Sequence, residues 1–404
     1  MRYAIDTNVL LDRPEIVLQE QCVMLACNLR ELEKLKRDPH IGFKARRCAR
    51  FLEEANGTLT YDLKDYVFGQ NTTFSQVYVD NQVIQACIDN RYGLITEDIL
   101  LKQKARAYNL EVKSLKNFEK EVYRGVQEVA LSNEDMAAMY QTPEEFFDSS
   151  NWKTHDFYRN QYIIFQDENK RCLEKKKWDG HNLIEVCTKP KALDSHAIGN
   201  YRPKDMYQAC AFDSLVKDDF TMLMGGAGSG KTLLSMAYIF AQLQSKSKEK
   251  CYIIFNPCDA RGTAKIGFRP GDTMEKMLAS SLGSMLMTKV ASPKDLGMFF
   301  GGDQLIIIPA SDMRGLDVRN SILYLPEGQN YNCELLKLAI QRVSDGSKLI
   351  IEGDVDAQVD SHLYEGINNG MRAASDIFKG EKCFSMVHLQ NNYRSDISRI
   401  AEKM

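Results

Sequence analysis

The stretch GGAGSGKT, Gly225–Thr232, constrains this 404-residue chain more than any other. It matches G-x-x-x-x-G-K-[ST] in full through Gly225, Gly230, Lys231 and Thr232, with Gly226, Ala227, Gly228 and Ser229 between. Before it, FTMLM (Phe220–Met224) is an apolar run of strand length. After it, LLSMAYIFAQLQ (Leu233–Gln244) keeps apolar residues at helical spacing. A strand, a glycine loop and a helix start together make an anion cradle. Glycines let successive N–H groups turn inward, and the helix N-terminus adds partial positive charge. The expected ligand is a nucleoside triphosphate, with Lys231 at the β- and γ-phosphates and the Thr232 hydroxyl on Mg²⁺.

A chain of this length accommodates two or three domains. Its formal net charge of −3 means that any nucleic-acid binding must rest on local basic patches. No apolar run reaches membrane-spanning length and the N-terminus lacks a signal-peptide pattern, so no membrane partner is expected. The 11 cysteines are scattered without zinc-site spacing, which fits a reducing, cytoplasmic setting.

The first 125 residues alternate short apolar runs with helical patterns, which implies a parallel three-layer α/β/α domain. RYAI runs into Asp6, and GLITE into Asp98. Asp80 opens a helical stretch, and Glu31 and Glu33 lie near the start of another. Such folds gather their chemistry at the carboxyl ends of the strands. Four carboxylates there would repel one another unless a hard divalent cation, Mg²⁺ or Mn²⁺, sat among them. Taken singly, each acid reads as a helix cap or a solvated charge. Taken together and in order, D-T-N-V-L-L, R-E-L-E-K-L-K, D-N-Q-V-I-Q-A and L-I-T-E-D-I-L-L resemble the PIN-domain nucleases. The resemblance implies metal binding by Asp6, Glu31, Asp80 and Asp98, polar support from Asn8 and Thr96, and cleavage of single-stranded RNA, less often DNA. Glu33 lies in the same stretch as Glu31; the register favours Glu31.

Residues 126–200 read as a linker with some helix followed by a small β segment whose turns carry Asp-Glu-Asn and Asp-Gly. Lys170, Arg171, Lys175, Lys176 and Lys177 beside Trp178 offer either a grip for a phosphate backbone and a base, or a solvated turn. His181 and His196 have no partners at ligand spacing.

From residue 201 onward, CYIIFN, QLIIIP, SILYLP and KLIIEGD read as strands of a parallel sheet, buried on both faces. GGAGSGKT, KIGFRPGD, MRG, LPEGQN, QRVSDGSKLIIEGDVDAQVD and NNYRSDI in this order resemble the PhoH family of RecA-like ATPases, and a PIN domain precedes such an ATPase in known fusions. The resemblance implies an ATP-dependent RNA helicase and ribonuclease assembled as a homo-hexamer. It assigns adenine reading to Gln208, as in superfamily 1 helicases, water orientation to Glu327 and γ-phosphate sensing to Gln329. Asp354 and Gln358 would form a second sensor, with Arg394 or Arg342 as the charge-neutralising arginine. Two departures stand out. Pro326 takes the place of the aspartate that holds Mg²⁺ through water, and Asn256-Pro257 replaces Arg-Pro. These departures imply slow hydrolysis, or Glu327 serving both roles, and suit a fast-diverging relative such as a bacteriophage copy. Alternatives are an ATP-gated binding module around a PIN nuclease and a small-molecule kinase. The acidic N-terminal domain and the GD-x-x-x-Q and RS signatures disfavour the kinase.

Overall fold

In the N-terminal unit, Met1–Val122, strand side chains alternate between two cores. Its strands are β1 (Tyr3–Ile5), β2 (Cys22–Leu25), β3 (Thr60–Asp62), β4 (Gly93–Ile95) and β5 (Val112–Lys113). They pair in parallel in the order β3-β2-β1-β4-β5. The helices between them are α1 (Thr7–Asp12), α2 (Ile16–Gln19), α3 (Ala26–Leu35), α4 (Gly42–Glu54), α5 (Val79–Asn90) and α6 (Ile99–Ala107). Tyr3, Ile5, Cys22 and Met24 pack with Val9, Leu10, Ile16 and Ala45 on one face. Ala4, Val23 and Leu25 pack with Val83, Ile84, Leu101 and Ala105 on the other. A strand with period-2 side chains and both faces apolar needs helices on both sides, and the three layers follow. The computed structural model describes residues 1–38, 42–55, 57, 59–69, 78–114, 123–152, 155–187, 193–256, 299, 302–355, 364 and 368–393.

The second unit, Tyr123–Met404, holds two sheets. The smaller comprises β6 (Val126–Ala130), β7 (Tyr162–Gln166), β8 (Cys172–Trp178) and β9 (Leu183–Glu185), in that order. β6 pairs with β7 in parallel, and β7, β8 and β9 form antiparallel pairs. Between β6 and β7 lie α7 (Asn133–Gln141), opened by a Ser132–Asp135 capping box, α8 (Pro143–Phe146) and α9 (Ser149–Trp152). Two members of the basic run are buried rather than presented to a ligand. Lys177 donates to both carboxylate oxygens of Asp218 at 2.7 Å, and Lys176 pairs with Glu185 beneath the Phe147 ring. Trp178 is buried in a cluster with Phe165 and Trp152. Alternation along β8 decides this: the inward-facing lysine meets a buried acid. Neither the phosphate grip nor the solvated turn describes Lys176, Lys177 and Trp178, all of which are buried.

The larger sheet contains β10 (Phe220–Gly225), β11 (Cys251–Phe255), β12 (Leu305–Pro309), β13 (Ile322–Leu325), β14 (Lys348–Gly353) and β15 (Phe384–Leu389). All pairs are parallel, in the order β12-β11-β13-β14-β10-β15. On one face α10 (Met206–Lys217) and α11 (Lys231–Gln244) cover Leu223, Tyr324 and Ile350. On the other, α12 (Cys333–Ile340) and α13 (Gly370–Phe378) cover Met222, Leu323 and Ile351. β14 and β15 flank the glycine-loop strand β10, and β13 lies one strand further out, beyond β14. Among the described residues no helix is long and apolar enough to cross a membrane.

Candidate functional site

Two sites are built, one in each unit. In the N-terminal unit the strand order reverses between β1 and β4, and the crevice beyond their carboxyl ends is where such sheets place ligands. Asp6 leaves β1 and caps α1; Asp98 follows β4 and caps α6 through Leu101 N–H at 2.8 Å. Thr96 joins them: its hydroxyl donates to Asp6 Oδ2 at 2.7 Å and accepts from the Asp98 N–H at 3.0 Å. Asn8 supports Asp6 through its backbone N–H at 3.4 Å, while its side chain is exposed. Asp80 stands in the first turn of α5, half-buried.

Electrostatics shows that the acids share one field. Burial raises the Asp6 carboxyl above its ordinary range, the Thr96 hydrogen bond opposes this, and the charges of Glu31 and Asp98 add to the rise. Asp80 is raised by burial and then by Asp6, with Lys104 opposing and Asp98 and Glu31 adding. Glu31 is half-buried on α3 and contributes to both; Glu33 is exposed. That agrees with the register, which favours Glu31. No group of three His, Cys, Asp or Glu side chains among the described residues is arranged to hold a metal ion. The hydrogen bonds above engage both oxygens of Asp6, the Asn8 one long at 3.4 Å, and Oδ1 of Asp98. The donor set of hard carboxylate oxygens still fits a divalent cation, whose charge would offset the repulsion among them. Sequence reasoning missed Asn28, buried on α3, whose amide donates to the Thr7 hydroxyl at 3.0 Å beside Asp6.

The nucleotide cradle is braced from three sides. Gly225 and Gly230 take φ of 143° and 92°, and a Cβ on Gly225 would come within 2.4 Å of the Leu389 carbonyl oxygen. Only glycine fits both demands. Gln208 is buried beneath the loop. Its carboxamide oxygen accepts from Tyr201 and from the Lys204 N–H, and its Nε2 donates to the Ser229 carbonyl at 3.0 Å. It braces the loop, and adenine reading would require exchanging these bonds. Beyond β15, Tyr393 N–H donates to the Gly228 carbonyl at 3.0 Å. Lys231 donates to the carbonyls of Gly225 at 2.5 Å and Gly226 at 3.0 Å.

At the end of β13, Pro326 is buried and Glu327 is exposed with a left-handed φ of 51°. A non-glycine residue there costs on the order of 1 kcal/mol or more, a strain that marks functional positions. Gln329 ties the site together: its amide donates to Glu327 Oε2 at 2.6 Å, and its oxygen accepts from the Asp354 N–H at 3.0 Å. Gln329 therefore positions Glu327 against the end of β14. Asn256, ending β11, donates to the Asn330 carbonyl at 2.6 Å. The Arg342 carbonyl accepts from the Val318 N–H at 2.9 Å, before the amino ends of β13 and β14. That is the sheet edge opposite the cradle, so Arg342 does not serve its own chain's site. Gln358, Arg394, Pro257 and the KIGFRPGD stretch lie outside the described residues.

Residues 200–403 match the family described as PhoH-like protein, and residues 3–116 match the family described as PIN domain. The chain belongs to the PhoH-like protein family. It is 25% identical over 445 residues to Protein PhoH2 of Bacillus subtilis strain 168, spanning 99% of this chain and 98% of that one. Protein PhoH2 of Thermobispora bispora is 22% identical over 444 residues, spanning 100% and 96%. Among solved structures, Pif1 helicase from Candida albicans is 14% identical with a TM-score of 0.28, covering 50% of this chain and 43% of that one. So weak a likeness carries no argument.

This PhoH-like protein thus joins a PIN domain to a P-loop ATPase domain, an enzyme of NTPase and nuclease type whose domains use ATP and a divalent metal. One residue of its cradle went unread in the sequence. Glu352, inside β14, is 2% exposed and accepts from Thr232 Oγ1 at 2.6 Å. An acid inside the apolar run KLIIEG was the available signal, because a buried carboxylate needs a reason.

Proposed function

We propose that this chain is an ATP-driven RNA-processing nuclease, in which hydrolysis at the cradle moves single-stranded RNA and the PIN acids cut it. The observation that carries the reading is that one chain holds a fully braced triphosphate cradle and four carboxylates sharing one field. In the ATPase, Lys231 meets the phosphates, Thr232 offers its hydroxyl to their Mg²⁺, and Glu327 orients the attacking water. In the PIN domain, Thr96 fixes the rotamer of Asp6 and Asn28 fixes Thr7 behind it. Mg²⁺ or Mn²⁺ held by Asp6, Glu31, Asp80 and Asp98 would supply an activated water and neutralise a phosphate. A homo-hexameric ring is part of the proposal, with an arginine, Arg394 or Arg342, reaching the next subunit's site. The place of Arg342 away from its own cradle supports that role.

A second reading, in which ATP binds and gates the nuclease with little hydrolysis, is favoured by the buried Pro326. Steady-state ATP hydrolysis with and without single-stranded RNA or DNA separates the two. RNA stimulation of at least about fivefold, well above ordinary assay scatter, supports the motor. Binding without measurable hydrolysis in either condition would replace it with the gated module.

A further inference from the structure

Glu352 has more hydrogen-bond donors than a strand residue needs and no ion-pair partner among the described residues. Thr232 Oγ1 and the Tyr324 hydroxyl both reach its Oε1 at 2.6 Å, and Ser235 Oγ reaches Oε2 at 2.9 Å. The three donors come from two consecutive turns of α11 and from β13. Lys231, at the head of the same helix, is the cation whose charge reaches the carboxylate.

The fold explains the placement. β14 lies between β13 and β10, and Glu352 stands in register with Leu223, two residues before Gly225. It is therefore one strand nearer the cradle than Pro326. Tyr324 lies inside β13, and Pro326 follows its last residue, Leu325, in a turn. Where Pro326 offers no carboxylate, Tyr324 hands a hydroxyl to the carboxylate on the next strand.

We infer that Glu352 is the positioning residue for the nucleotide's Mg²⁺, supplying from β14 the carboxylate that β13 lacks at Pro326. A purely structural hub would not need the charge. Burying a carboxylate is costly, and a glutamine of the same length could bond the same hydroxyls without that penalty. Next to the hydroxyl of Thr232, which the motif places on the metal, a charge has a use: it orients that hydroxyl and the hydrated cation. The inference rests on the nucleotide reading of the cradle and removes the argument that Pro326 makes hydrolysis slow.

The test measures affinity for a fluorescent ATP analogue in EDTA and in Mg²⁺, using the full chain. Wild type should gain about tenfold or more from Mg²⁺, the size of effect a well-oriented metal confers. Glu352→Gln and Glu352→Thr should lose most of that gain while keeping the EDTA affinity within about twofold of wild type. Adding Pro326→Asp to Glu352→Thr should restore at least half of the gain, whereas Pro326→Asp alone should restore nothing. Tyr324→Phe, a milder change that keeps the ring, should lower the gain partway and serves if the Glu352 variants fail to fold. A full Mg²⁺ gain in folded Glu352→Gln, or in Tyr324→Phe should the former not fold, overturns the inference and leaves the cradle reading intact. If wild type binds no nucleotide in either condition, both fall together.

Discussion

The two sites use the same geometry and opposite construction. Both lie beyond the carboxyl ends of parallel strands, one at Asp6 after β1, the other at Gly225 after β10. The cradle is made of backbone, curled by glycines and braced by Gln208, Ser229 and Tyr393, so its shape is settled before any ligand arrives. The acid site is made of side chains drawn from α3, α5 and the ends of β1 and β4, and its members repel one another. A backbone site is stable by itself. A carboxylate site is held against its own electrostatics by the surrounding fold, and its stability and function pull in different directions.

If that contrast holds, the acid site should collapse with the loss of one member. Asp6→Asn and Asp98→Asn should each lower metal-dependent cleavage of a labelled single-stranded RNA by about 10³-fold, since a metal-activated water contributes several kcal/mol. ATP affinity should stay at the wild-type value in both. Equal cleavage by wild type and both variants, in Mg²⁺ and in Mn²⁺, would break the PIN half of the comparison.

The cradle should respond differently, losing its ligand but not its shape. Lys231→Ala should weaken ATP binding by about 100-fold or more, because the lysine supplies fixed charge at the phosphates. The loop should persist, since Gln208 Nε2 to Ser229, Ser229 Oγ to Gly226 and Tyr393 to Gly228 remain. Calorimetry gives the affinity, and hydrogen exchange at Gly228–Thr232 reports the loop. Normal affinity would sink the cradle assignment, and a melted loop would sink the claim that backbone alone shapes it.

The same difference accounts for what the sequence could reveal. A backbone site is contiguous, so GGAGSGKT was readable outright, as were the strands around it. The acids are spread over more than ninety residues, and only their order in a known pattern joined them. Register favoured Glu31 over Glu33, and α3 adds that Glu31 is half-buried while Glu33 is exposed. Lys177 beside Lys176 was open to both a phosphate grip and a solvated turn because sequence does not say which face of β8 meets Asp218. Glu352 was overlooked for a related reason: in KLIIEGD the terminal Asp354 drew attention, while the register that aims Glu352 at Thr232 is a tertiary fact. Gln208 was read as an adenine contact and Gln329 as a γ-phosphate sensor; their bonds to Ser229 and Glu327, and hence their bracing roles, depend on loops that no local pattern specifies.

The smallest effect is also the most specific to the acid site. Asp6 is buried, and burial with the charges of Glu31 and Asp98 lifts its folded pKa above the unfolded value of 3.8. Between those two values the folded state binds more protons than the unfolded one. Stability of the N-terminal unit should therefore fall as pH rises from 3.8 through the folded pKa, and the penalty is complete above that pKa. Asp6→Asn removes the charge while its side-chain oxygen still accepts from Thr96. At pH 7 the variant should be the more stable protein, with amides of α1 and β4 exchanging roughly 3- to 10-fold more slowly in the full chain. At and below pH 3.8 the difference should shrink, because Asp6 is increasingly protonated in the wild type as well. Lys231→Ala should leave exchange in α1 and β4 unchanged. Faster exchange in Asp6→Asn at pH 7 would mean that the carboxylate is worth more to the fold as a hydrogen-bond acceptor than it costs as a buried charge. The opposition between stability and function would then not apply to this site.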